Sequence, residues 1–217
     1  MKTFLSIGSG PGIGYETAAR FAKEGYRIIL SARNPDNLNA LAARLKASDA
    51  QVETRRVEAG DPASVAALLN EVENSFGPVD VLHYNAANLR QATVQSQPID
   101  TFNSDLAVNI GGALAAVQVM KKKMEGRGAG TILLTGGGFG IYPNPDYLSL
   151  SIGKAGIRAL ALGLFESAKE AGVHIATVTV CAFVSPETQE TREIADSFWK
   201  LHSQTKDEWS AELTYPA

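Results

Sequence analysis

One cysteine among 217 residues, Cys181, leaves no partner for an internal disulfide and suits a reducing cytosol, so a cytoplasmic protein is expected. Histidine is nearly as scarce. His83, His174 and His202 stand apart from one another and from any cysteine or acid at metal-ligand spacing, and no metal site is expected. An excess of charge of one sign is also missing. The formal net charge is −3, and the only basic run, Lys121 to Lys123, reads as the solvated end of a helix. Nucleic acid and anionic membrane surfaces are therefore not expected partners. No uninterrupted apolar run reaches the roughly 18 residues of a membrane span. The opening "MKTFLSIGSG" has too short an apolar stretch for a signal peptide. No serine sits in a G-x-S-x-G elbow, which removes that form of nucleophilic hydrolysis.

What is present is an ordinary globular balance, 45% hydrophobic and 20% charged, in a chain long enough for one full core and short for two. Short apolar runs alternate with longer helical patterns. Strands are expected at 3–7, 27–32, 51–57, 79–84, 130–136 and 173–180, with a possible last strand near Leu213. Helices are expected between them. One carries Leu38, Leu41 and Leu45 at helical spacing, and another opens on Asp61 and Pro62 and stops at Gly77. A continuous helix is expected over 102–124, another over 146–172, and one in the tail over 190–204. Strand and helix in this alternation imply a parallel sheet with helices on both faces.

"GSGPGIG", residues 8–14, joins the first strand to the first helix. Glycine permits a tight turn and lets a pyrophosphate approach without meeting a Cβ. The helix N-terminus then offers free N–H groups and the positive end of a dipole. The spacing of Gly8, Gly12 and Gly14 differs from G-x-G-x-x-G, because Ile13 takes the place of the last glycine. After the second strand, Ser31, Arg33 and Asn34 stand where an NAD-selective site usually has an acid. A cationic fork suits a 2′-phosphate, so NADP(H) is favoured over NAD(H).

These features, with "VDVLHYNAA", Asn109 in "LAVNIGGALAA" and "GKAGIRALALGL", resemble the short-chain dehydrogenases/reductases over roughly residues 1 to 185. The resemblance implies a single α/β domain, a Rossmann-like three-layer fold with a parallel sheet of six to seven strands. It implies a homodimer or homotetramer that transfers hydride between NAD(P)(H) and a small carbonyl or alcohol. The tail from about residue 186 would be a substrate lid or subunit contact. Its aromatic residues, Phe198, Trp199, His202 and Trp209 with Phe183 just before it, would line a substrate pocket or a subunit contact. Cofactor contacts are implied at Gly8, Ser9, Gly12, Ile13 and Gly14, then at Ser31, Arg33 and Asn34. Further ones fall at Asn85, Ala86 and Ala87, and at Thr135, Lys154 and Val184.

The family's chemistry uses a tyrosine as acid or base, a lysine four residues later, a serine that polarises the substrate and an asparagine in a proton relay. Lys154 matches the lysine and Asn109 the asparagine, but the tyrosine position is Leu150 and the serine position falls on Gly137 or Gly138. Delivery of hydride to a carbonyl still calls for a proton donor near its oxygen. Tyr147, two helical turns before Lys154, is the candidate for a relocated acid, and the alternative is a catalytically silent NADP(H)-binding sensor or scaffold. Cys181 reads as a small buried thiol at the end of the sixth strand, and His83 as a packed strand histidine.

Overall fold

The computed structural model describes residues 1–216. The strands are β1 (Thr3–Ile7), β2 (Arg27–Ala32), β3 (Val52–Arg56), β4 (Val81–Tyr84), β5 (Gly130–Thr135), β6 (Val173–Val180) and β7 (Glu212–Tyr215). They form one sheet in the order β3-β2-β1-β4-β5-β6-β7, and every pairing is parallel. The helices are α1 (Ile13–Lys23), α2 (Pro35–Lys46), α3 (Pro62–Phe76), α4 (Ile99–Leu106), α5 (Gly112–Arg127), α6 (Leu148–Glu170) and α7 (Gln189–Ser203). The α/β reading of the sequence holds, with the tail supplying the seventh strand.

Two apolar layers sandwich the sheet, and the period of two along each strand sorts residues between them. Leu5 and Ile7 of β1 face a core shared with α3, α5 and α6, while Phe4 faces a second core with α1, α2 and α7. β4 starts at Val81 rather than 79. Val79 N–H donates to Glu73 Oε1 of α3 (3.1 Å), and the Asp80 carboxylate takes the Thr3 N–H (2.7 Å). The α3 ends lie where the sequence signals put them. Asp61 Oδ1 accepts from Ala63 N–H at 2.9 Å, and Gly77 closes the helix at φ +83°.

The helix expected over 102–124 is not continuous. A π turn, Ala107–Gly111, separates α4 from α5. Such a turn disturbs the regular helical hydrogen bonding, and one carbonyl here, Val108 O, accepts from the Tyr84 hydroxyl at 2.6 Å. The break seats Gly112 against β3's exit, where a Cβ would lie 1.9 Å from Ala59 O.

The tail packs into the domain. Phe198 is fully buried, its ring 4.7 Å from that of His83, and burial of such a side chain contributes about 2–3 kcal/mol. Trp199 packs edge-on to Phe21 and under the Arg20 guanidinium (4.7 Å). His202 bonds Tyr26 and Thr131, and Trp209 stacks on His174 at 4.7 Å. These four aromatic side chains pack within the domain, and of the aromatic set named from the sequence Phe183 alone is strongly exposed, at 76%. A second difference concerns α6. It is long and apolar enough to cross a membrane on length and composition, yet it lies along β6 and against the π turn.

Candidate functional site

The chain reverses its order at β1, which lies between β2 and β4, so a crevice opens at the carboxyl ends of β1 and β4. The glycine turn sits there. Gly8 has φ +88°, and a Cβ on it would fall 2.3 Å from Ala86 N, so β1 and the exit of β4 approach as only glycine allows. Asn85 Nδ2 donates to Gly8 O (2.8 Å), and Gly14 lies against both. Gly8 and Ser9 both donate their N–H to Ser31 O, at 2.8 and 2.9 Å. Ile13 is the first residue of α1, and no side chain caps that helix at Gly12.

Several residues expected at the cofactor have their side chains occupied elsewhere. Ser31 is buried, and its hydroxyl donates to Ser6 O at 2.7 Å. Ser9 Oγ donates to Ser6 O and accepts from Ser31 N–H. Asn34 Oδ1 caps α2, accepting from Asp36 and Asn37 N–H at 2.9 and 3.3 Å. These side chains serve the fold, which leaves Arg33 as the polar side chain after β2 that faces the crevice. Arg33 is exposed and pairs with no carboxylate among the described residues. It lines a cavity of about 790 Å³ with Glu58, Asp61, Ala87, Asn88 and Val108. The sequence reading missed Glu58, Asp61, Asn88 and Val108. Their signal was positional, since Glu58 and Asp61 follow a strand beside the switch point.

On α6, Lys154 lies one helical turn beyond Leu150, which is buried at 3% exposure. Lys154 Nζ donates to Thr135 O at 2.7 Å. Burial pulls this lysine down to about 8. The Thr135 hydroxyl donates to Asn85 Oδ1 at 2.9 Å, so the His83 nitrogen 3.0 Å away, Nε2, carries a proton and donates to it. Burial, with Lys154 nearby, pushes His83 down to about 3 and keeps it neutral. Asn109 sits in the π turn. Its amide clasps the main chain of Asn88, accepting from N–H at 2.6 Å and donating to the carbonyl at 3.2 Å. Gly153 makes room for this, because a Cβ there would lie 2.4 Å from Asn109 Cβ.

Tyr147 is the N-cap of α6, so it stands outside the helix that was to align it with Lys154. Its ring stacks on Phe139 at 5.5 Å and lies 6.0 Å from Phe183. Cys181 is exposed, a correction to the buried thiol read from sequence. β6 ends at Val180, and the chain turns outward over the rim of the crevice. Val184, in the same segment, is half-buried against the α1 side core.

Residues 2–196 match the short chain dehydrogenase family. The chain belongs to that family. As a short chain dehydrogenase it is an oxidoreductase of the pyridine-nucleotide-dependent type. It is 29% identical over 187 residues to the glucose 1-dehydrogenase of Gluconobacter oxydans, covering 85% of this chain and 70% of that protein. Among solved structures, a short-chain dehydrogenase from Rhodopseudomonas palustris superposes with TM-score 0.90 at 22% identity, covering 100% and 98% of the two chains. A metagenomic short-chain oxidoreductase in complex with NADP gives TM-score 0.89 at 20% identity, covering 98% and 96%. At these identities the two structures speak to the fold.

Proposed function

We propose that this short chain dehydrogenase uses NADP(H) to reduce a small carbonyl, or oxidise the corresponding alcohol, with a proton donor other than the usual tyrosine. The observation that carries the reading is Arg33, a cation that lines the cavity after β2 and pairs with no carboxylate among the described residues, together with Lys154, likewise unpaired among them and bonded to the end of β5. The crevice fits a dinucleotide. At Gly8 the space a Cβ would need is already taken by the exit of β4, and α1 presents an uncapped N-terminus beside it. Arg33 would hold the 2′-phosphate, the turn from Gly8 to Gly14 the pyrophosphate, and Lys154, Asn85 and the main chain near Val184 the nicotinamide half. When bound, the nicotinamide supplies two electrons and one hydrogen as a unit. The substrates in the names of these relatives do not carry over, and the substrate class rests on the family's chemistry alone.

Titration of the purified chain with NADPH and NADH, followed by cofactor fluorescence, tests this. Arg33→Ala is expected to weaken NADPH roughly 10- to 100-fold, the loss of one charge-assisted contact, and NADH by less than about threefold. Equal weakening of both would remove Arg33 from the 2′-phosphate, and binding of neither would sink the reading. A second reading, a silent NADP(H)-binding sensor or scaffold, is favoured by Leu150 together with Gly137 and Gly138. It expects NADPH to bind and never to be consumed.

The same family membership supports a homodimer or homotetramer. Leu114 of α5 and Ile152 and Leu162 of α6 are each exposed at 40–43%. Exposed apolar side chains on these two neighbouring helices suit a two-fold contact. Light scattering is expected to give two or four chain masses, and Leu114→Glu with Leu162→Glu to give one. A wild-type monomer would refute the assembly.

A further inference from the structure

We propose that Lys154 Nζ is itself the proton donor to the substrate oxygen, in place of the hydroxyls this chain lacks. The proposal rests on the NADP(H) reading above. The first support is elimination among the side chains around Leu150. The Ser149 hydroxyl donates to Asp105 Oδ2 at 2.9 Å, and Ser151 Oγ donates to the Tyr147 carbonyl at 2.9 Å. The Thr135 hydroxyl is given to Asn85 and braced by His83. Each hydroxyl next to the lost phenol, along helix or strand, is therefore committed inside the fold.

The second support is the position of the lysine. A Cβ built on Gly137 would meet Lys154 Cγ, Cδ and Cε at 3.2, 3.3 and 3.4 Å. The stem therefore lies across bare main chain, over the position the family gives to its serine. One N–H of the ammonium bonds Thr135 O; the other two bond nothing among the described residues, and no carboxylate pairs with the group. An ammonium with two uncommitted protons is thus held at the end of β5, with its stem across Gly137. Its pKa, lowered by burial to about 8, suits the task, since a donor works best when its pKa lies near the working pH.

The titratable groups on the neighbouring segments are His83 of β4, which Lys154 influences directly, Cys181 beside Gly138, and Tyr147 stacked on Phe139. His83 is buried and neutral. Tyr147 is held in the aromatic stack on Phe139, and the Cys181 sulfur rests 3.1 Å from the Cβ position of Gly138. In the reductive direction the substrate oxygen gains an electron pair as its carbon is reduced. One Nζ–H bond then breaks, an O–H bond forms, and the neutral amine takes a proton from solvent. Oxidation runs the same transfer backwards, from alcohol to neutral amine.

Two measurements on the full chain with NADPH decide it. Acetylation of Lys154 by trace acetic anhydride from pH 6 to 10, read by peptide mass spectrometry, reports the titration of the amine without any turnover. NADPH oxidation with 4-nitrobenzaldehyde reports the chemistry. The expected results are a labelling midpoint near 8 and a kcat that falls tenfold per pH unit above the same midpoint. Lys154→Arg keeps the charge but does not titrate here, and is expected to lose at least about 100-fold in kcat at saturating NADPH, with any change in NADPH affinity read separately by titration. Tyr147→Phe and Cys181→Ala are expected to leave the pH midpoint where it is.

A labelling midpoint in the ordinary lysine range near 10 would overturn the proposal. So would turnover by Lys154→Arg close to wild type, or a pH midpoint that disappears in Tyr147→Phe or Cys181→Ala. Tight NADPH binding without any oxidation would overturn it too, in favour of the silent module. Absence of NADPH binding is a different failure, that of the cofactor reading itself.

Discussion

Gly8→Ala is expected to abolish NADPH binding and to destabilise the chain, whereas Gly10→Ala, two residues away in the same turn, is expected to do neither. Gly8 holds φ +88°, and its added Cβ would press on Ala86 N at 2.3 Å. A non-glycine residue in a sparsely populated backbone region costs about 1–3 kcal/mol before any clash. The clash has no soft partner, because the atom it meets is main chain. Either the turn opens or the exit of β4 withdraws, and both moves pull Asn85 away from Gly8 O, a bond of 2.8 Å. A loss of about 3 kcal/mol at the crevice corresponds to more than about 100-fold in affinity. Gly10 differs in kind. Its added Cβ meets nothing within 4 Å, and its φ is not positive. NADPH affinity and urea midpoints for the two variants give the comparison. An alanine at position 8 that binds NADPH within threefold of wild type would mean that the strand exits yield more easily than this packing allows.

Asp105→Ala carries the second large effect. The Asp105 side chain is fully buried, and four residues donate to it. Arg90 gives Nε at 2.8 Å and Nη2 at 3.3 Å, Asn88 gives Nδ2 at 3.2 Å, Gln97 gives Nε2 at 2.9 Å, and Ser149 gives Oγ at 2.9 Å. One carboxylate thus ties α4, the loop from Asn88 to Gln97 and the first turn of α6. Removing it leaves the buried Ser149 hydroxyl and the other donors without their common acceptor, at a cost of about 1–3 kcal/mol. For a domain of this length that lowers Tm by roughly 3–10 °C. The loop also carries the main chain that Asn109 clasps, so the crevice is expected to loosen with it.

The acid dependence of this contribution has a definite sign. Burial alone would raise the Asp105 carboxyl, but the hydrogen bonds from Arg90 and Ser149 outweigh it and hold the group below the usual carboxylate range. A lowered folded value means that the stabilisation is complete above about pH 4 and is lost as the pH falls through the folded value. Wild-type Tm is therefore expected to drop below pH 4 more steeply than that of Asp105→Asn. Parallel curves for the two would show that this carboxylate contributes nothing to acid unfolding.

The amino-acid sequence by itself determined the features that depend on near neighbours. Alternating apolar runs set the first six strands, because side chains two apart share a face of a sheet. The Asp61–Pro62 start and the Gly77 stop bound α3, because capping is settled within one turn of the chain. The glycine turn, Asn109, Lys154 and the leucine at position 150 were legible in the same way, as residue types at set distances from one another. The family followed from their order.

Only the tertiary structure decided which of those side chains are available. Ser31 and Asn34 carry the right atoms for a ribose, yet one is used by Ser6 O and the other by the N-terminus of α2. Tyr147 shares a helical face with Lys154 only if the helix begins before it, and α6 begins one residue after it. The tail aromatics became core because α7 lies against α1, more than 160 residues earlier in the chain. Asp105, the hub of a buried network, sits in an unremarkable polar stretch of sequence. In each case the deciding contact is made between segments distant in the chain. Its geometry depends on how strands and helices approach, which no local spacing records. The lysine shows both halves at once: its position was written in the sequence, and its uncommitted protons only in the fold.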